Sequence, residues 1–333
     1  MKKEIANSLF VFAIASSILF IGMEFFLRYK GFYSSHTERI GLHRYQSVYE
    51  QNRSAYPVYS RNVKKEFVQN EFTRTISTNS FGFNDYEWQK QKTDSCRVIA
   101  LGDSFTEGVG SSNDSSYVQQ LRKLLPNTQI FCAGLSGCDP VFSYKFLADS
   151  LMPLMLPDIV TVAINSTDIG DIRIRGGMER FNGSDTIRAK QGPRWEWLYA
   201  HSYFVRFFVH RIMQYDLYLT SPHAAEHDTQ QAIETLKNIM THFVDLGRRN
   251  NTRVIFIFHP VFYEIIAGEN QCSKLIEYAQ SQKYEYVDVY GFFSDHNIAK
   301  HNAHQYFWKN DSHCNNTGYS LFTAAIAEKW PVQ

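Results

Sequence analysis

The chain has 333 residues, with 34 lysine and arginine residues against 33 aspartate and glutamate residues, so its formal net charge is +1. This balance excludes the strongly basic surface that nucleic-acid binding usually needs, and a hydrophobic content of 44% excludes a disordered chain. The five cysteines are too few for a disulfide scaffold at this length. We therefore expect a globular protein without a nucleic-acid partner.

An uncharged run from Ile5 to Met23 follows the amino terminus and ends at Glu24. A helix over this run would be about 28 Å long, close to the ~30 Å thickness of a bilayer core. A cleaved signal peptide and a buried helix are the alternatives, but no small-residue cleavage site follows the run. We expect an uncleaved, single-pass membrane anchor over residues 1–30. Basic residues flank both ends, so charge does not decide which side the rest of the chain occupies.

Residues 31–95 are polar and rich in tyrosine, and we expect them to form an extended stalk or lead-in. After this segment, apolar runs of strand length alternate with helical patterns, which is typical of a parallel sheet covered by helices. Strands are predicted at 97–101, 128–132, 158–164, 253–258 and 286–288, and helices at 117–125, 140–152, 230–249, 273–282 and 318–330. The prediction is a three-layer α/β/α sandwich with a flavodoxin-like sheet over 96–333, interrupted by an aromatic-rich insertion at about 170–228.

The sequence Gly102-Asp103-Ser104 comes directly after the first predicted strand of this sheet. Ligands of such sheets bind at the carboxyl ends of the strands. Ser104 would begin a helix, where free backbone N–H groups can hold a negative oxygen. A polar turn that only caps a helix is the alternative. The segment matches neither the Gly-x-Ser-x-Gly elbow nor a phosphate-binding loop.

Asp311 and His313 lie two positions apart, just before the last predicted helix. A serine nucleophile needs a base that takes its proton and an acid that orients that base, and this pair has both residue types. A solvent-exposed loop is one alternative. A metal site made of these two residues with His301 and His304 is another, although the spacing fits no known metal motif.

Together these blocks resemble the SGNH/GDSL hydrolase superfamily, with Gly-Asp-Ser after the first strand and Asp-x-His before the last helix. The lead-in segment 79–83, Asn-Ser-Phe-Gly-Phe, looks like that of the membrane-anchored bacterial members. The resemblance covers about residues 78–170 and 250–330. It implies Ser104 as the nucleophile, His313 as the general base and Asp311 as the residue that orients it.

The resemblance also implies an oxyanion hole. The backbone N–H groups of Ser104 and Gly134 would contribute to it, with Gly137 as a rival to Gly134. The family has Gly-x-Asn-Asp after the third strand, whereas the block here begins with Asn165 and carries Thr167 at the asparagine place. Either Asn165 or Thr167 is therefore the expected side-chain donor, with a slight preference for Asn165.

The predicted function is that of a serine esterase without a cofactor, acting on acylated glycan of the cell envelope from the extracytoplasmic face of the cell membrane. The alternatives are an O-acyltransferase with the same residues and a non-catalytic envelope binding or assembly module. His259, which follows a strand, is expected to be structural. Two points stay open: whether Cys132 and Cys138 form a disulfide, and whether the aromatic insertion is a substrate groove, packed core or a membrane-interface surface.

Overall fold

The structure is a computed structural model that describes residues 2–31, 58–93, 95–112, 114–181 and 193–330. The strands are β1 (Lys64–Val68), β2 (Thr73–Ser77), β3 (Cys96–Gly102), β4 (Thr128–Gly134), β5 (Ile159–Ile164), β6 (Arg253–Phe258) and β7 (Glu285–Asp288). The α-helices are α1 (Lys2–Tyr29), α2 (Ser104–Glu107), α3 (Tyr117–Leu124), α4 (Pro140–Phe146), α5 (Met152–Met155), α6 (Ser166–Arg175), α7 (Glu196–His201), α8 (Tyr203–Phe207), α9 (Pro222–Arg249), α10 (Phe262–Ala267), α11 (Ser273–Ser281), α12 (Val289–Asp295) and α13 (Asn316–Lys329). The described chain also contains two π-helical turns, Leu147–Leu151 and Phe208–Ile212, and two 3₁₀ turns, Met178–Phe181 and Ala303–Gln305.

The chain divides into two compact units. The described residues of the first unit fall in 2–31, 173–176 and 193–230. Those of the second fall in 58–172, 177–181 and 231–330, with positions 94 and 113 outside the description. Each unit is considered on its own below.

The second unit is built on a parallel sheet with the strand order β4-β3-β5-β6-β7. Successive residues of a strand point to opposite faces, and β3 shows this directly. Val98 and Ala100 belong to one buried cluster with α3 and α13, whereas Ile99 and Leu101 belong to another with α4 and α9. Because helices cover both faces, the central strand β5 is buried along its whole length. The predicted fold class, an α/β sandwich with a flavodoxin-like strand order, is confirmed.

The described part of the lead-in, residues 58–93, differs from the extended stalk expected from the sequence. β1 and β2 form an antiparallel hairpin, and Val58, Phe83 and Trp88 are buried in the core of the second unit. Arg97 at the start of β3 is fully buried, and its guanidinium donates hydrogen bonds to backbone carbonyls of residues 89–91. A buried arginine needs such partners, so this contact fixes the lead-in to the sheet.

The first unit contains α1 and the described part of the insertion. In the described chain, α1 is the helix that is long and apolar enough to cross a membrane, over Ile5–Tyr29, and most of its large apolar side chains are exposed, whereas Leu27 is buried. The insertion forms α7, α8 and the π-helical turn around a small cluster of Tyr199, Val209 and Leu219. Part of the predicted insertion, 182–192, lies outside the described residues.

Candidate active site

The nucleophile candidate stands at the turn between β3 and α2. Gly102 ends β3 with a φ of +156°, and a Cβ there would lie 2.2 Å from Thr106 Oγ1, so only glycine allows the turn to close this tightly. Asp103 caps α2 by accepting a hydrogen bond from the Phe105 N–H. Ser104 is the first residue of α2 and is half-buried, which leaves its side chain accessible.

Ser104, His313 and Asp311 form a continuous hydrogen-bonded chain. Ser104 Oγ lies 2.7 Å from His313 Nε2, and His313 Nδ1 lies 2.5 Å from Asp311 Oδ1. A carboxylate only accepts hydrogen bonds, so Nδ1 carries the ring proton and Nε2 of the neutral ring accepts the hydroxyl proton of Ser104. This is the arrangement of a nucleophile, a general base and an orienting acid.

The electrostatics of Asp311 fit the role of the orienting acid. Burial alone would raise the pKa of this carboxyl, but the hydrogen bond with His313 and the positive charge of Arg74 outweigh burial and lower the pKa below its ordinary value. Asp311 is therefore ionised at neutral pH and stabilises positive charge on the imidazole. The ring of Phe105 lies 4.8 Å from that of His313 and covers one side of it.

The loop that carries Asp311 and His313 is held against the segment after α2. A Cβ at Gly110 would lie 2.5 Å from the carbonyl oxygen of Cys314 and 3.1 Å from the Cβ of His313, so glycine permits this approach. The Trp308 indole N–H donates to the Gly110 carbonyl at 2.7 Å. No motif in the sequence indicates the roles of Gly110 and Trp308, because these roles depend on a contact between distant segments.

Glu71, at the tip of the β1–β2 hairpin, holds the same loop from the other direction. Its carboxylate accepts hydrogen bonds from the backbone N–H groups of Lys309, Asn310 and Asp311 at 3.2, 2.8 and 2.9 Å. The neighbouring Phe72 stacks on Trp308, with the ring centroids 5.6 Å apart. The lead-in therefore supports the candidate site directly, which the sequence did not indicate.

Glu107, the last residue of α2, connects the hairpin to the loop after β4. Its side chain is fully buried and forms an ion pair with Arg74 at 2.9 Å. It also accepts hydrogen bonds from the hydroxyl of Tyr59 at 3.0 Å and from the backbone N–H of Ser136 at 2.8 Å. One buried carboxylate thus fixes the loop 135–138 relative to α2.

Gly134 and Gly137, the two glycines predicted as alternative backbone oxyanion donors, differ in burial. Gly134 is buried, and a Cβ there would lie 2.4 Å from the backbone nitrogen of Glu107, so close packing of β4 on α2 accounts for this glycine. Its N–H interacts with the buried thiol of Cys132. Gly137, in contrast, is exposed and has a φ of +75° in the turn that follows Ser136. Gly137 is therefore the exposed one of the two glycines.

The two side-chain candidates after β5 also differ in exposure. Asn165 has 0% of its surface exposed, and its amide nitrogen lies 2.8 Å from Asp103 Oδ2 and 3.3 Å from His259 Nε2. Burial lowers the pKa of His259, so its neutral ring accepts from Asn165. Thr167 is exposed, and its hydroxyl donates to Asn165 Oδ1 at 2.7 Å. Asn165 and His259 thus form a buried support, and Thr167 lies at the surface above it.

Asp168 completes this support. It is buried at the start of α6, and its carboxyl accepts a hydrogen bond from the Asn165 N–H at 2.9 Å. Burial, followed by the negative charge of Asp103, raises the pKa of Asp168 well above its ordinary value. Folding therefore makes Asp168 harder to ionise than it is in the unfolded chain.

The alternative predictions concern metal ligands and a disulfide. Among the described residues, no three histidine, cysteine, aspartate or glutamate side chains come together as a metal site. His301 is exposed, and His304 packs against the ring of Phe262. All five cysteines lie in described ranges and none forms a disulfide, so Cys132 and Cys138 are not bridged in this structure.

The fold and this site together define an α/β protein in which a serine that follows a strand of a parallel sheet is hydrogen-bonded in line with a histidine and an aspartate from the loop before the last helix. No family model matches the chain, and neither does any curated protein. Among solved structures, it is similar to a lipolytic protein of the G-D-S-L family from Veillonella parvula, with 13% identity, a TM-score of 0.44, and coverage of 72% of this chain and 100% of that one. It is also similar to an acetylxylan esterase from Geobacillus stearothermophilus, with 12% identity, a TM-score of 0.44, and coverage of 74% and 98%. A two-domain esterase active on acetylated mannans shows 15% identity, a TM-score of 0.39, and coverage of 71% and 48%.

Proposed function

We propose that this protein is a serine esterase of the SGNH/GDSL type that cleaves acyl esters through an acyl-enzyme. The observation that carries the proposal is the chain of short contacts from Ser104 through His313 to Asp311. His313 takes the proton of Ser104 as its oxygen attacks the ester carbonyl, and then donates it to the leaving alcohol. Water, activated by the same histidine, releases the acid and restores Ser104.

The oxyanion of this reaction would be held by exposed groups around Ser104. The N–H of Ser104 is at the first position of a helix and has no partner within that helix. We assign the second backbone donor to Gly137 and the side-chain donor to Thr167, because both are exposed whereas Gly134 and Asn165 are buried. A rotation about its C–O bond redirects the Thr167 hydroxyl from Asn165 towards the substrate.

The substrate class follows from the proposed location. We propose that α1 anchors the chain in the cell membrane and that the second unit lies on the extracytoplasmic side, where it would act on O-acylated glycan of the cell envelope. Cys96 is exposed and the other four cysteines are buried, so labelling by a membrane-impermeant maleimide reports on which side of the membrane Cys96 lies. Labelling of Cys96 in intact cells supports this location, and labelling only after lysis contradicts it.

The esterase is tested with the full chain in detergent, with 4-nitrophenyl acetate as substrate and a fluorophosphonate as a covalent probe. We expect Ser104→Ala to reduce hydrolysis to the background rate and to abolish labelling. Ser320→Ala, at an exposed serine on α13, is the matched control and retains both. Equal rates for the wild type and Ser104→Ala, with no labelled Ser104 peptide, would leave a non-catalytic module.

The acyltransferase alternative uses the same covalent intermediate and differs only in the acceptor. Adding a glycan oligosaccharide to the acetyl ester assay separates the two reactions. An esterase releases acetate in proportion to the alcohol, whereas a transferase moves the acetyl group to the oligosaccharide and releases less acetate.

A further inference from the structure

The aromatic insertion of the first unit is fixed to the carboxyl-terminal end of α1. The Glu24 carboxylate accepts hydrogen bonds from the Ser202 hydroxyl at 2.8 Å and from the N–H groups of Tyr203 and Phe204 at 3.1 and 2.8 Å. Arg28 donates to the carbonyl oxygen of His201 at 3.0 Å, and its guanidinium lies 4.9 Å from the ring centroid of Tyr203. These contacts cap the start of α8 with a residue of α1 and set the position of the insertion along that helix.

If α1 crosses a bilayer, as proposed above, the same contacts determine how deep the insertion lies in that bilayer. Phe20 belongs to the uncharged run, and its ring lies 4.7 Å from that of Phe204. Phe20 precedes Glu24 by one helical turn, or about 6 Å along the axis. Phe204 therefore lies at the edge of the hydrocarbon core, and α7 and α8 lie in the headgroup region around it.

The insertion also exposes large apolar side chains. These are Trp197, Leu198, Phe208, Ile212, Met213 and Leu217. Within residues 193–213, the exposed side chains with a formal charge are the arginines Arg194 and Arg211. Tryptophan and other apolar groups beside arginine are typical of segments that lie in the interface of an anionic membrane.

We propose that α7, α8 and the π-helical turn 208–212 form a membrane-surface element, which inserts Trp197, Leu198, Phe208 and Ile212 at the boundary between headgroups and acyl chains. The membrane is the occupant because the element is attached at the point where the apolar run of α1 ends. This inference rests on the proposed anchor and goes beyond the proposed esterase. It gives the first unit a second contact with the bilayer, in addition to the spanning helix.

The test places single spin labels on the full chain in nanodiscs of phosphatidylethanolamine and phosphatidylglycerol, in a Cys96→Ser background. Ile212→Cys reports the proposed element, and Phe12→Cys reports α1. Leu124→Cys, at the end of α3 in the second unit, is the matched control, since Leu124 and Ile212 are 57% and 59% exposed. We expect the label at 212, like the label at 12, to collide more often with dioxygen than with a water-soluble nickel complex. The label at 124 should remain accessible to the nickel complex.

Three results would overturn the proposal in distinguishable ways. Nickel accessibility at 212 equal to that at 124, with position 12 in lipid, refutes the membrane-surface element alone. Shielding of 212 from both reagents shows that a protein covers the surface instead. Nickel accessibility at both 12 and 212 refutes the anchor as well, without any bearing on the hydrolysis of esters.

Discussion

Removing the Glu71 carboxylate tests whether the lead-in supports catalysis. This carboxylate accepts three backbone hydrogen bonds from residues 309–311, one of them from Asp311 itself. Hydrogen bonds to a charged group contribute about 1.5–3 kcal/mol each, but water replaces most of them on a half-exposed loop. The net loss of free energy is then about the value of one such bond. If the whole of this loss raises the activation free energy, the reaction becomes roughly 10- to 100-fold slower.

We therefore expect Glu71→Ala to lower kcat about 10- to 100-fold with little change in KM, because Glu71 acts through the loop and not on the substrate. Glu71→Gln retains one acceptor oxygen, so its loss should be intermediate. The assay is hydrolysis of 4-nitrophenyl acetate, with the rate of fluorophosphonate labelling as an independent measure of the reactivity of Ser104.

Glu66→Ala is the matched control, because Glu66 is an exposed glutamate on the same hairpin. Unfolding temperatures of all variants separate a local effect from loss of the fold. If Glu71→Ala and Glu66→Ala have rates within twofold of each other while both remain folded, the hairpin does not position Asp311.

Three further variants probe the neighbouring groups. Thr167→Val should reduce turnover about 10²–10³-fold, as expected for loss of an oxyanion donor, whereas Thr167→Ser retains the hydroxyl and most of the activity; equal losses in both would assign the effect to packing. Glu107→Gln leaves Arg74 without its buried partner, and we expect the free energy of unfolding in urea to fall by about 3–5 kcal/mol, a loss that Glu66→Gln should not show. Asp168→Asn tests the raised pKa of Asp168. The carboxyl of Asp168 ionises above pH ~4 in the unfolded chain but only at a higher pH in the folded chain. Ionisation therefore stabilises the unfolded chain, and the free energy of unfolding of the wild type falls as the pH rises towards the folded pKa. The melting temperature of Asp168→Asn should therefore increase relative to the wild type between pH 4.5 and 8, and a constant difference would show that Asp168 is ionised in the folded protein.

The strands of the sheet were predictable because both of its faces are covered. Such strands are continuous apolar runs, and β5 and β6 were predicted within a residue of their observed bounds. The first turns of α9, from Pro222 to about 230, were missed because they bury little and show no apolar face. The contact between Ser104 and His313 was predictable because each belongs to a recognisable motif, Gly-Asp-Ser after the first strand of the sheet and Asp-x-His before the last helix.

The support of the site was not predictable from the same patterns. β1 and β2 are short, largely polar strands without a turn signal such as Asn-Gly, so nothing in the sequence distinguishes them from a stalk. Glu71 and Arg74 are ordinary charged residues there, and their partners are far away in the chain. The burial of Gly134 and Asn165 also depends on tertiary contacts, namely the approach of β4 to α2 and the side chain of His259.

Three distant segments meet at the candidate site, and the hairpin contacts both of the others. Arg74 pairs with Glu107 at the end of the nucleophile helix, and Glu71 binds the loop that carries Asp311. The distance between Ser104 and His313 therefore depends on residues 64–77 as well as on the sheet. It follows that a chain starting after residue 95 would retain Ser104, His313 and Asp311 but lose the hairpin contacts to the segments that carry them. A minimal active form should therefore include Val58, which is part of the buried core.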